Sequence, residues 1–223
     1  VDARVSGKVT PDLVRLADGT RLRARITPEA WNLLAAAQAP GDTAALEAPF
    51  DVEATIAGAE LPRAGGAVAL AELAVRGSLA LGEIRVRSPR DDSRLALRDA
   101  RLEVESPRLG GETRLQLHAV GEREGKAGTL DVTGTVRDLV DAGGAIDPAR
   151  ISGSLTGKAS QLPLQVADEL LGTGDLLVAS LGPALDLEAQ ADLAPGSASG
   201  EAVAGTIAIS ADSAYLDLQM AGS

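Results

Sequence analysis

The chain has 223 residues, of which 45% are hydrophobic but only 1% aromatic, so any core must be built from Ala, Leu, Val and Ile around single Trp, Tyr and Phe residues. A formal charge of −11 works against a phosphate-tracking surface, and so against nucleic acid as a partner. The absence of Cys excludes disulfides, thiol catalysis and Cys-ligated zinc, and no run of about 18 apolar residues occurs that would span a bilayer as a helix.

Taken from the start, "ARVSGKVT" and "TRLRARI" alternate apolar and polar residues and read as strands, with a hairpin around "LADGTR" between them. "TPEAWNLLAAAQAPG" then predicts a helix over 28–38. Thr27 caps it, Pro28 takes its first position, Trp31, Leu34 and Ala35 share one side, and Pro40-Gly41 stops it. That stripe makes Trp31 a core anchor pinning the helix to a sheet, rather than an anchor at a membrane interface. Strands follow at "FDVEATIAG", "GSLAL", "EIRVRS", "RLEVES", "TRLQLHAV" and "TLDVTGTV". The apolar parity flips between Leu81 and Ile84 across Gly82, and again between Leu97 and Leu102, so each site needs a turn or bulge to keep one face inward. Residues 85–114 hold eight Arg interleaved with six acids, which reads as a mixed solvated face; contact with anionic lipid is the other reading. "VRDLVDAGG" suggests one helical turn around 136–144.

Beyond it lie the strand "RISGSLTG" and a second helix over 164–172. Pro163 leads this helix, Val166, Leu170 and Leu171 form its stripe, and Gly172 ends it. "LDLEAQADL", "GTIAIS" and "AYLDLQM" complete at least a dozen strands. After Lys158 there is no Lys or Arg, while nine acids follow. The expected fold is mainly β: a large antiparallel meandering sheet, forming a curved groove or a sandwich, with two short capping helices.

The two halves echo one another. Pro28 to Phe50 and Pro163 to Leu185 both span 22 residues, and an offset of 135 lays "FDVEA" on "LDLEA", so that Asp51 matches Asp186 and Glu53 matches Glu188. Upstream, "VSGKVT" resembles "ISGSLT" at an offset of 146. This predicts an internal duplication: a first unit over 1–145 of strand, helix, strand and long meander, and a truncated second unit over 146–223, joined in one continuous sheet. A start at Val1 without Met, with no charged and apolar leader, reads as a piece of a longer chain whose other repeats are partners of this one.

Chemistry is sparse. Asp186 and Glu188 read as paired carboxylates or half a Ca²⁺ site, or as outward solubilising positions opposite Leu185, Leu187 and Ala189; their counterparts in the other unit favour the last. His118, the only His, shares a strand face with Arg114 and Gln116, so no His-based triad is expected. Gly172 and Gly174 begin a G-x-G, but Leu177 stands where a dinucleotide fingerprint needs its last glycine. No catalytic residues, metal or cofactor are expected.

The alternating strands, short helices, degenerate duplication and fragments such as "LGPALDLEAQADL" and "ISGSLTG" resemble the AsmA-like and TamB-like proteins of bacterial envelopes, which are similar to the repeating β-groove lipid-transfer proteins. The resemblance implies a non-enzymatic segment in the periplasm or cell envelope that binds or conducts lipid acyl chains and supports outer-membrane biogenesis. Physically, an aliphatic sheet face must be buried against a second sheet, a helix or acyl chains. The expected lining of a groove is Phe50, Val52, Ile56, Leu115, Leu117, Leu130, Val132, Leu185, Leu187, Ile207 and Ile209. The competing expectation is a closed structural β-repeat of a surface or adhesion protein, with no ligand.

Overall fold

A computed structural model describes residues 2–4, 6–38, 44–64, 67–141, 143–146, 150–171, 173, 175–194, 205–214 and 217–222. The predicted helix stops at Pro40-Gly41 and Gly172 and the G-x-G residue Gly174 lie outside the described residues, as do the side chains of Leu34, Ala35 and Leu171.

The chain begins with β1 (Asp2–Arg4), β2 (Gly7–Val9), β3 (Leu13–Leu16), β4 (Thr20–Ile26) and α1 (Pro28–Gln38). It continues through β5 (Ala45–Leu46), β6 (Phe50–Ala64), β7 (Ala67–Val68), a 3-10 turn at Leu70–Glu72, β8 (Ala74–Leu81), β9 (Ile84–Arg87), β10 (Arg94–Ser106), β11 (Glu112–Arg123) and β12 (Lys126–Arg137). The remainder is β13 (Ser152–Pro163), α2 (Leu164–Leu171), α3 (Leu176–Leu181), β14 (Ala184–Leu193), β15 (Gly205–Ser213) and β16 (Asp217–Gly222). The fold is mainly β, one large open antiparallel sheet with short helices, in the order β1-β4-β6-β8-β10-β11-β12-β13-β14-β15-β16. The β12–β13 ladder is unbroken from Thr129↔Ser160 to Arg137↔Ser152, so the sheet runs through the 145/146 boundary without interruption.

Both parity flips have a structural cause. β8 ends and β9 begins around Gly82 and Glu83, and the two strands share one edge of β10. Within β10 the register against β11 shifts between Arg98 and Arg101, where Asp99 has φ +52°: an extra residue forms a bulge and returns Leu102 to the face of Leu97. A second bulge, which alternation alone did not reveal, interrupts β13 between Ala159 and Leu162, with Gln161 at φ +49°. It presses on Gly128, where a Cβ would sit 2.1 Å from the Gln161 carbonyl oxygen. Glu124 and Gly125, at φ +50° and +81°, close β11 onto β12 in the two-residue turn whose twist suits a hairpin.

Thr27 caps α1 as expected, accepting the Ala30 N–H at 3.4 Å on its hydroxyl and the Trp31 N–H at 2.9 Å on its carbonyl. Trp31 packs edge-on against Phe50, with ring centroids 6.2 Å apart, and donates from Nε1 to the Ala44 carbonyl at 2.9 Å. Around them Leu46, Ile84, Val86, Leu95 and Val166 form the main core. A second cluster joins Leu164, Leu185 and Ala211 with Leu177, Val178 and Leu181 of α3. The helices, rather than a second sheet, therefore cover this end of the sheet.

Two local expectations differ from the structure. Among the described residues of 136–144 none is helical; Asp141 organises a loop by accepting the Gly143 and Ala145 N–H groups at 2.8 and 2.9 Å, a competition that Asp side chains win over helix in short segments. α3 was not anticipated, because its N-terminus is completed by a side chain from α2. Asp168 accepts the Leu177 and Val178 N–H groups at 3.0 and 2.9 Å.

Candidate functional site: an aliphatic face crossing the sheet

Register converts strand alternation into rows that cross the whole sheet. Successive Cα partners place Leu22, Ala54, Leu79, Leu102, Leu117, Val132, Gly157, Ala189, Ile209 and Met220 in one line from β4 to β16. Every residue of this row is apolar. One position along each strand, and so on the opposite face, runs Arg23, Glu53, Ala80, Arg101, His118, Asp131, Lys158, Glu188 and Ser210. All eleven expected lining residues fall on the aliphatic face. Leu115 and Ile56 lie one row towards its far end, and Val52, Leu130 and Leu187 one row towards the helices.

The face is covered unevenly. Phe50 and Leu185 are each only 7% exposed beneath the helices and belong to the core, so neither is open for lining; Val52, Leu187 and Ile209 pack at its margin. Their burial depends on α1, α2 and α3 folding back over them, which alternation cannot report. At the other strand ends the 3-10 turn adds a partial cover over β8–β12, with Leu109 N bonded to Leu73 O at 3.0 Å and Gly110 N to Ala71 O at 2.8 Å. Ser106 and Thr113 are buried there, and their hydroxyls bond to each other at 2.8 Å. Between these covers Ile56, Leu102, Leu115, Leu117, Leu130 and Val132 are half-buried. Towards the last strands the face opens, with Leu155, Ile207 and Met220 at 46%, 45% and 49% exposure.

The polar face is laced with ion pairs. Arg23 meets Glu53 at 2.6 Å and Lys158 meets Glu188 at 2.7 Å, while His118 Nδ1 shares a hydrogen bond of 2.6 Å with Asp131 Oδ1. The first two pairs stand 135 residues apart in both partners, so the offset found in the sequence recurs as a cross-strand contact. All eight Arg of 85–114 have acidic partners, among them Arg87 with Glu47 and Asp92, and Arg98 with Glu83 and Glu122. Contact with Lys158 holds the Glu188 carboxyl below its usual range and raises the Lys158 ammonium. Asp186 accepts the Gln161 backbone N–H at 2.8 Å and the Gln161 side-chain amide, and so caps the bulge. Both carboxylates singled out in the sequence thus serve the sheet. Among the described residues no group of three or more His, Cys, Asp or Glu side chains is placed to hold a metal ion.

A depression of about 670 Å³ lies over β13–β16, lined by Thr156, Lys158, Glu188, Gln190 and Ser210 of the polar side and by Gly157, Ala189, Ile209 and Met220 of the apolar row between them. Sequence reasoning missed a buried polar cluster where α2 meets the β9–β10 turn. The Ser88 hydroxyl donates to Glu169 Oε1 at 2.6 Å, and Gln165 Nε2 reaches Asp91 Oδ2 at 3.2 Å. The Ser93 side chain first, then its N–H, Gln165 and Arg123, hold the Asp91 carboxyl down at about 2 against the opposing effect of burial. A clue was available in "QVADELL", where Gln165, Asp168 and Glu169 crowd the apolar stripe.

No protein-family model, curated protein or solved structure matches the chain. Function must therefore be argued from the face itself.

Proposed function

We propose that this chain is a non-enzymatic, lipid-binding segment of a bacterial envelope protein, holding acyl chains against the aliphatic face of its open sheet. The observation that carries the reading is the uninterrupted apolar row from Leu22 to Met220, with large aliphatic side chains left exposed along it. Nine strand-to-strand steps make that row roughly 40 Å long at the usual spacing of about 4.8 Å, a length suited to extended hydrocarbon. Each CH₂ withdrawn from water contributes about 0.8 kcal/mol, so a shallow floor of Leu, Val and Ile retains an acyl chain without polar specificity. The likeness in texture to AsmA-like and TamB-like proteins supports the envelope setting and a role in outer-membrane biogenesis.

The test is organic extraction of the purified protein followed by mass spectrometry, with uptake of a fluorescent phospholipid from phosphatidylglycerol vesicles measured alongside. Leu117→Asp and Leu155→Asp place a charge on the row or beside it at half-buried and exposed positions, where folding tolerates it better than at Leu187. Co-purifying phospholipid that both substitutions abolish is the expected result. Lipid-free protein that takes up no phospholipid would overturn the reading and leave a structural β-repeat of a surface protein.

A further inference from the structure

Two different kinds of contact hold the helices on the aliphatic face. α1 rests on Trp31 against Phe50; α2 places Leu164 and Val166 in the two hydrophobic clusters and in addition buries three polar residues, Gln165, Asp168 and Glu169. Each is bonded outside its own helix. Glu169 accepts the Ser88 hydroxyl at 2.6 Å, and the Gln165 amide donates to Ser88 Oγ at 3.4 Å and to the Asp91 carboxylate at 3.2 and 3.3 Å. Arg123 Nη2 donates to the same carboxylate at 2.9 Å and ties the turn to the end of β11. Asp168 faces the other way and takes the Thr173 hydroxyl at 2.6 Å together with the first N–H groups of α3, which couples the two helices. Arg90 pairs with Asp175 at the rim.

The floor beneath this helix pair continues the open strip. Leu185 and Ala211 are buried against the helix pair with Leu187 beside them, and Ala119, Leu130, Ala159, Leu187 and Ala211 form the row next to that of Leu117, Val132, Gly157, Ala189 and Ile209 on the same face. Ser88, Gln165 and Glu169 of this network are buried while Asp91 stands at its exposed edge, and such a coupled set of polar bonds fixes one geometry and weakens together when a member is lost.

We propose that α2 and α3 form a latched lid, which swings off the aliphatic face when the contacts of Gln165 and Glu169 with the 88–93 turn break, widening the strip by one row. Its role in admitting acyl chains rests on the lipid reading above; the opening itself does not.

Hydrogen exchange on lipid-free protein tests the latch. Amides of 164–171 and 176–181 are expected to exchange as one group and faster than those of β11 and β12. Ser88→Ala is expected to accelerate that group about tenfold, the loss of one buried hydrogen bond, while leaving α1 unchanged. Glu169→Gln, which can still accept from Ser88, should change it less and serves as the second variant if Ser88→Ala folds poorly. Exchange of α2 and α3 only through global unfolding, or equal acceleration across the whole sheet, would overturn the lid. Normal lid opening without phospholipid uptake from phosphatidylglycerol vesicles would support the lid and remove the lipid reading alone.

Discussion

At the residue scale, the same alternating pattern places residues in unequal positions. Phe50 and Ile207 both stand on the aliphatic face, yet Phe50 is 7% exposed under Trp31 while Ile207 is 45% exposed. Truncating Phe50 to Ala leaves a cavity beneath a helix and is expected to cost about 3–5 kcal/mol in urea unfolding. Ile207→Ala empties no enclosed space and should cost less than about 1 kcal/mol. Equal losses at the two sites would mean that the face is covered throughout. The acids follow the same logic: Asp186 and Glu188, which the sequence places as outward positions rather than paired catalytic carboxylates, each have a neighbour that uses the charge or the lone pairs.

At the element scale, bulges keep a long meander on one face. The bulge at Gln161 and the glycine opposite it form a matched pair, since a Cβ at Gly128 would meet backbone at 2.1 Å rather than a movable side chain. Gly128→Ala is therefore expected to destabilise the protein by about 1–3 kcal/mol, the usual range for overpacking, with exchange protection lost first along β12 and β13. Unchanged stability would show that the bulge can relax. The bulge at Asp99 was legible because apolar parity changed between Leu97 and Leu102; the one at Gln161 was hidden because the helix-forming segment follows it at once. α3 escaped notice for a related reason. Six residues are too few for a periodic stripe, and its cap, Asp168, lies in another helix.

At the scale of the whole molecule, the strands on either side of the 145/146 boundary share one sheet. Nine consecutive residue pairs join β12 to β13, and α2 places Leu164 in one hydrophobic cluster and Val166 in the other. Unfolding in urea should accordingly be a single transition, with Trp31 fluorescence, which reports the first half, coinciding with far-UV circular dichroism, which reports all strands. Two separated transitions would mean that residues 1–145 and 146–223 are independent domains. The fold class, the antiparallel meander, two of the helices and eleven residues of the aliphatic face could be read from the sequence, because alternation and capping are local properties of a few neighbouring residues. Which part of that face is core and which is open was decided only by tertiary structure. Phe50 and Leu185 are covered, and Gln165 and Glu169 find Ser88 and Asp91, through contacts between segments tens of residues apart, which no local period encodes.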